Sequence, residues 1–203
     1  MSHFDSEAQR WDQRPTSQQL VVVPPRLLER VAFAQDDQVL DFGAGTGLLA
    51  TAIAPHVAQV AALDLSEAML QVLQGKGHAN IQTVLADVLA YAPAHAGQYQ
   101  AIVSCMALHH VPDTAALLQA FAQLLDAGGQ LALVDLYAED GSFHGSAEEN
   151  AAKGVHHHGF APAALQALAE QAGFSHIRFS EIAQIQRPSG RSYPLFLLQA
   201  RKA

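Results

Sequence analysis

The stretch that decides the fold is Val39-Leu40-Asp41-Phe42-Gly43-Ala44-Gly45-Thr46-Gly47. A short apolar strand, residues 38–42 (QVLDF), runs into a Gly-x-Gly-x-Gly turn, and a helix (LLATAIA, 48–54) follows until Pro55. Glycines are needed where backbone turns tightly and comes close to a ligand without a Cβ in the way. The helix start behind the turn offers unpaired N–H groups to an anion, here most simply a carboxylate. The spacing discriminates between ligands. Dinucleotide turns read G-x-G-x-x-G, but here the third glycine comes one residue early. Asp41, two residues before the first glycine, would repel a pyrophosphate and attract an ammonium. An amino acid, with both ammonium and carboxylate, suits the turn better than a dinucleotide.

Outward from this unit, strand and helix alternate. QVAALD (59–64) reads as a strand, and SEAMLQVLQ (66–74) as a helix capped by Ser66. IQTVLAD (81–87) and QYQAIVSCM (98–106) read as strands, the second apolar enough for a central position. Asp113 is placed to cap the next helix, whose face carries Leu117, Leu118, Phe121, Leu124 and Leu125 and which Gly128-Gly129 should stop. QLALVDLY (130–137) is a strand, Pro162–Ala172 a helix stopped by Gly173, and HIRFSEIAQIQ (176–186) with YPLFLLQARK (193–202) an antiparallel hairpin turned by RPSGRS. The expectation is a doubly wound α/β fold: a mostly parallel seven-stranded sheet with a C-terminal antiparallel strand.

Residues 1–35 read as an N-terminal helical cap, DSEAQRWDQ followed after Pro15 by a second helix starting at Pro25, with Leu27, Leu28, Val31 and Ala32 on one face. The stretch 138–160 fits neither period. It holds Gly141, Gly145 and Gly154 and four histidines, and lies where such sheets bind ligands, so it is expected to be a lid-like insertion; a disordered loop is the alternative. The 203 residues then form one domain: cap, core 38–135, insertion, and a final helix and hairpin over 161–203.

Composition narrows the function. Half of the residues are hydrophobic and 15% are charged, which argues against disorder. Nineteen acids against 11 Lys and Arg give a net charge of −8, which disfavours nucleic acid and anionic membrane as partners. Cys105 is the only cysteine, so no internal disulfide forms. The N-terminus lacks a signal-peptide apolar stretch, and no apolar run reaches the roughly 20 residues of a membrane span. A cytoplasmic protein with a small-molecule partner is expected.

Two further acids end consecutive strands. Asp64 can accept from both hydroxyls of a ribose, and Asp87 from an exocyclic amine such as that of adenine, with Leu65, Met69 and Val88 beside them to sandwich a flat base. Each acid alone is more often a helix cap or turn residue, but three of them, after consecutive strands and on one edge, point to a ligand.

In this order and spacing, VLDFGAGTG, ALDLSEAML (62–70), LADV (85–88), IVSCMALHHVPD (102–113) and LLDAGGQLALVD (124–135) resemble the successive motifs of class I S-adenosylmethionine-dependent methyltransferases. The likeness is to the small-molecule branch that includes the ubiquinone and menaquinone biosynthesis methyltransferases. HHHGF (156–160) and FDSEAQRWD (4–12) resemble segments of that branch too, the latter one that closes over the cofactor. The resemblance implies S-adenosyl-L-methionine as cofactor and S-adenosyl-L-homocysteine as product. It puts Asp41 at the methionine amino group, and Phe42, Gly43, Ala44, Gly45 and Gly47 around the methionine moiety. Asp64 would hold the ribose, Ala86, Asp87 and Val88 the adenine, and Cys105, Met106 and Ala107 would line the cofactor near the sulfonium. The fourth strand lacks the Asn/Asp-Pro-Pro-aromatic run of many amine and DNA methyltransferases, which weakens a nucleobase substrate.

The acceptor atom is left open among oxygen, nitrogen, carbon and sulfur. A phenol or acidic carbon would need a base, and His109-His110 follow the fourth strand; adjacent residues point apart, so one of the two should face the site. His157 and His158 are expected to contact substrate or pack at the hinge of the insertion, and no metal site is expected. Trp11 and Phe4 either cover the cofactor or anchor the cap. Two rival readings stand: a cofactor-binding sensor or partner domain without turnover, and an NAD(P)-dependent oxidoreductase.

Overall fold

Two apolar residue sets alternate along each central strand, and that alternation forces helices onto both faces of the sheet. The computed structural model describes residues 3–203. In chain order the elements are α1 (His3–Glu7), α2 (Pro15–Leu20), α3 (Val23–Leu28), β1 (Gln38–Phe42), α4 (Ala50–Ile53), β2 (Gln59–Asp64), α5 (Glu67–Gln74), β3 (Ile81–Leu85), α6 (Val88–Tyr91) and β4 (Tyr99–Cys105). Then come α7 (Thr114–Leu124), β5 (Leu125–Leu136), α8 (Ala147–Ala152), α9 (Pro162–Gln171), β6 (Phe174–Gln186) and β7 (Ser192–Lys202).

The seven strands form one sheet in the order β3-β2-β1-β4-β5-β7-β6. The pairs from β3 through β5 are parallel, and β7 runs antiparallel to both neighbours. Val39, Val60, Ala62, Val103 and Val134 pack on one face against α3 and α4 through Leu27, Ala50 and Ile53. Leu40, Leu63, Ile102 and Leu133 pack on the other against Leu117, Leu118, Phe121 and Leu165 of α7 and α9. The expected seven-stranded, doubly wound α/β sheet is the fold observed. Its strand order reverses between β1 and β4, and sheets of this kind bind ligands in the crevice outside the carboxyl ends of the strands at that point.

The expected caps are in place. Ser66 Oγ accepts from Met69 N–H, and Asp113 Oδ1 from Ala116 N–H. Other expectations are corrected. The helix before β5 ends at Leu124, not at Gly128-Gly129. Leu125 is already extended and pairs with Tyr99, and the two glycines fall where the β4–β5 register shifts between Tyr99 and Ala101. The N-terminal region is not two helices. Its segment is broken into α1, a 3-10 turn over Ala8–Gln13, α2 and an α3 that begins at Val23, ahead of Pro25. The insertion carries a helix of its own, α8, held by a capping box in which Ser146 Oγ accepts from Glu149 N–H while Glu149 accepts from Ser146 N–H. A Tyr137–Phe160 bridge joins the two ends of the insertion.

Candidate functional site

The crevice between β1 and β4 is floored by the glycine turn. Gly43, Gly45 and Gly47 all have positive φ. A Cβ on Gly43 would stand 2.4 Å from Ala107 Cβ, so only glycine lets the β1 and β4 loops approach this closely. At Gly45 the reason differs: a Cβ there would meet nothing within 4 Å. The turn is bare beside open space, and this is the cradle a ligand needs.

Carboxylates surround that cradle. Asp41, 2% exposed, accepts from Ala50 N–H at 2.9 Å beneath the turn. Burial, with Asp64 nearby, pushes its carboxyl up to about 8. Asp64 accepts from Gly45 N–H at 2.7 Å and from Ser66 N–H at 2.8 Å. Its carboxyl is also raised, chiefly by burial. Each carboxylate oxygen keeps a second lone-pair direction, so hydroxyls of a ligand still find acceptors there. Asp87 is exposed and caps α6 by accepting from Leu89 N–H at 2.7 Å, through one oxygen only. Leu65 is 72% exposed, whereas Met69, turned inward by α5 with Leu70 and Leu73, is 1% exposed and presents no open face to a flat base. Phe42, Ala44 and Val88 are buried, and Ala86 is half-buried. Cys105, Met106 and Ala107 are half-buried at the end of β4, where Met106 takes a φ of 60°, a strained conformation beside the crevice. Burial, then Asp135 and Asp41, push the Cys105 thiol up, which disfavours the thiolate that a nucleophile needs.

The N-terminal segment lies across the turn. Thr46 donates its hydroxyl proton to Asp12, Lys76 Nζ reaches the same carboxylate at 2.9 Å, and Ser66 Oγ donates to Asp5 at 2.6 Å. Trp11 carries the Arg14 guanidinium 4.4 Å from its ring centroid and packs on Phe4 at 5.6 Å, and Phe4 meets His110 edge-on at 5.1 Å. Asp5, Asp12, Thr46 and Lys76 were not singled out individually in the sequence; Thr46 lies inside the glycine turn and Asp5 and Asp12 inside FDSEAQRWD, whereas Lys76 carried no signal. A depression of about 480 Å³ lined by Arg30, Gln130, His176, Arg178 and Arg201 lies at the other end of the strands and belongs to no part of this crevice.

The two adjacent histidines do not point apart, contrary to expectation. The 3-10 turn Leu108–His110 brings their rings to 4.2 Å, tilted by 44°. His109 is 1% exposed, with Nδ1 2.8 Å from Asp135 Oδ1 and Nε2 3.1 Å from His144 Nε2. His110 Nδ1 is 3.0 Å from the Gly154 carbonyl, which makes it the donor and leaves Nε2 bare. Burial and the neighbouring His109 pull His110 down to about 4. Asp135 is an acid in the middle of an apolar strand, a signal that the sequence reading passed over; His144 carried none. His157 Nε2 donates to the Val111 carbonyl at 2.9 Å and lies 3.2 Å from Thr114 Oγ1, so this ring is engaged at the hinge. His158 stands 4.0 Å from Glu139 and is half exposed. Among the described residues, no three His, Cys, Asp or Glu side chains converge as metal ligands.

This arrangement fits S-adenosylmethionine on its own terms: a bare cradle at Gly45 flanked by acids that suit an ammonium and a ribose. The comparisons agree. Residues 13–178 match the family model described as a methyltransferase domain. The chain is 34% identical over 142 residues to the ubiquinone biosynthesis O-methyltransferase of Marinobacter nauticus, covering 64% of this chain and 59% of that protein. It therefore spans well under two thirds of that curated relative. A SAM-dependent methyltransferase from Aquifex aeolicus superposes with a TM-score of 0.70 at 18% identity, covering 98% of both chains. The phosphoethanolamine N-methyltransferase 2 of Haemonchus contortus, solved with S-adenosyl-L-methionine, superposes with a TM-score of 0.73 at 16% identity, over all of this chain and 60% of that one. The oxidoreductase reading falls with the family match. With motif order, strand order and family model in accord, the chain belongs to the class I S-adenosylmethionine-dependent methyltransferases.

Proposed function

We propose that the protein transfers a methyl group from S-adenosylmethionine to a small-molecule acceptor bound between the crevice and the insertion. The observation that carries this reading is the bare turn at Gly45, with Asp64 bonded to its N–H at the point where the strand order reverses. The 34% identical relative, an O-methyltransferase of ubiquinone biosynthesis, supports a small molecule over a nucleic acid, as does the net charge of −8. The acidic balance and lone cysteine support a cytoplasmic setting.

When bound, the cofactor supplies a methyl group already activated on a sulfonium, so this chain's own work is to bind, align and exclude water. Asp41 meets the ammonium, the glycine turn passes beneath the methionine portion, Asp64 holds the ribose, and Asp87 with Ala86, Val88 and Leu65 holds the adenine. Residues 1–35 act as the cap over it, with Trp11 covering the site. Residues 38–135 form the cofactor half. Residues 138–160, with His158 on the acceptor side and His157 at the hinge, shape the acceptor pocket, and residues 161–203 close the sheet. Of the two catalytic candidates, His109 has the carboxylate partner that a proton-handling group needs. His110 lines the acceptor side as a neutral ring.

The test is thermal stabilisation by S-adenosylhomocysteine together with turnover of isotope-labelled cofactor. At a ligand concentration of 100 times Kd the stabilisation is about 2.7 kcal/mol, or roughly 5–10 °C for a chain of this size. The shift should vanish in Asp64→Ala. An equal shift in both proteins removes Asp64 from the site, and no shift in the unaltered protein overturns the reading.

A further inference from the structure

Asp135, wholly buried in β5, accepts three hydrogen bonds: from Leu136 N–H at 2.7 Å, from His109 N–H at 3.3 Å and from the His109 ring at 2.8 Å. A carboxylate only accepts, so His109 carries its proton on Nδ1. The Nε2 of neutral His109 is then a bare lone pair. It faces Nε2 of His144 at 3.1 Å, and a hydrogen bond between them requires the proton to sit on His144. One carboxylate thus sets the tautomers of two rings and leaves the far nitrogen of His144, Nδ1, as the only unprotonated end of the chain. No hydrogen bond engages that Nδ1 among the described residues, and the His144 side chain is half-buried rather than sealed.

We propose that Asp135, His109 and His144 form a proton relay whose working end is His144 Nδ1, and that it takes the proton from the attacking atom of the methyl acceptor. The proposal rests on the methyl-transfer reading and adds to it a catalytic residue, His144, from the insertion. His109 cannot touch an acceptor itself, because it is sealed and both its ring nitrogens are engaged. As the acceptor atom gives up its proton to His144 Nδ1, His144 Nε2 passes its own proton to His109 Nε2. The positive charge then rests on His109 against Asp135. Nothing is oxidised or reduced, and the proton leaves later to solvent through His144. The charges around the relay agree. His144 is held well below its ordinary value by burial first, then by the nearness of His109, His110, Lys153 and Arg187, which keeps charge off His144 itself. Among the described residues, no carboxylate besides Asp135 contacts these rings, while His110, His156 and the Lys153 ammonium, bonded to the His144 carbonyl, face the cluster. His110 packs between the relay and the cap, its ring centroid 5.8 Å from that of His144 and 5.1 Å from that of Phe4. Only acceptors that carry a proton on the attacking atom use it.

The tautomers can be read without turnover, from long-range ¹H–¹⁵N spectra of the full chain labelled at histidine. The expected pattern is Nδ1–H on His109 and Nε2–H on His144. Asp135→Asn, whose amide can donate, should release both rings from that pattern. His144→Ala should lower kcat on a proton-bearing acceptor by about 10²–10⁴-fold, leave the thermal shift with S-adenosylhomocysteine unchanged, and regain rate with added imidazole. Nδ1–H on His144, an unaltered kcat and pH profile in His144→Ala, or a Zn²⁺-induced rise in Tm that disappears in His144→Ala would each overturn the relay, the last by making the two Nε2 atoms a metal clamp. If the tautomers are as expected but S-adenosylhomocysteine does not bind, the methyl-transfer reading fails and the tautomer chain stands.

Discussion

Thr46, buried in the glycine turn, donates its hydroxyl proton to Asp12 of the N-terminal segment, so the cap is fastened to the very backbone that it covers. Lys76 adds a second tie to Asp12 that is largely exposed, with side chains 32% and 54% accessible. Such a pair is worth at most about 1 kcal/mol and weakens with salt. Asp12→Ala should therefore change global stability by only about 1 kcal/mol but free the cap locally. Limited proteolysis near residue 14 should speed up several-fold, and cofactor dissociation with it. Unchanged cleavage and off-rate would mean that the cap is held by Phe4 and Trp11 instead.

The two glycines that build the cradle should respond differently to alanine. Gly43→Ala drives a Cβ into Ala107 at 2.4 Å and must distort the β1–β4 contact, costing more than the roughly 1–3 kcal/mol of backbone strain alone. Gly45→Ala meets nothing within 4 Å and has only the strain of its positive φ to bear. Gly45→Ala should stay folded in urea titrations yet lose S-adenosylhomocysteine binding. If it binds as the unaltered protein does, the ligand does not lie over that turn.

If Asp41 meets the cofactor ammonium as proposed, it links binding to pH. Its carboxyl, raised to about 8, is protonated in the free fold at neutral pH and must ionise to meet an ammonium. Affinity for S-adenosylhomocysteine should then rise by up to tenfold per unit between pH 6 and 8. A raised carboxyl favours the fold below the unfolded value near 4, and that contribution fades as pH climbs through 8. Asp41→Asn, which can still accept from Ala50 N–H, should be the more stable protein above pH 8. It should bind roughly 10–100-fold more weakly and lose the pH dependence. Calorimetry in buffers of different ionisation enthalpy reads the proton directly.

His110 acts in the opposite sense. Its folded value near 4 lies below the ordinary 6.5, so the unfolded chain takes up the proton first as pH falls. Its contribution to stability is complete above 6.5 and is lost between 6.5 and 4, by up to about 1.4 kcal/mol per unit. His110→Asn should flatten that part of the stability curve measured in urea. An identical slope in both proteins would show the ring to be accessible and ordinarily basic.

The sheet was legible because its strands obey local rules: Val39 and Leu40 already declare opposite faces, and Ser66 and Asp113 declare helix starts. The end of α7 was not, because Gly128-Gly129 reads as a helix stop while pairing of Leu125 with Tyr99, a long-range contact, takes the chain into the sheet sooner. The glycine turn and the strand-end acids Asp41, Asp64 and Asp87 were legible as positions, since they follow consecutive strands, but the inward turn of Met69 was not. The histidine chain was not: Asp135 and His144 come from β5 and the insertion, and only packing brings them to His109. The Ser146–Glu149 box was in plain view, but the polar helix behind it has no apolar stripe to announce it.

The bridge between Tyr137 and Phe160 ties off the insertion at its neck. Beyond that neck the insertion is still keyed to the sheet, because Phe143 packs on Tyr193 of β7 at 5.2 Å, Ser142 Oγ lies 2.7 Å from the Tyr193 hydroxyl, and the His109 carbonyl accepts from His156 N–H. A graft that changes the rest of the segment must therefore carry Phe143 and His144 across unchanged, or the sheet loses a packing partner and the proposed relay its outer ring.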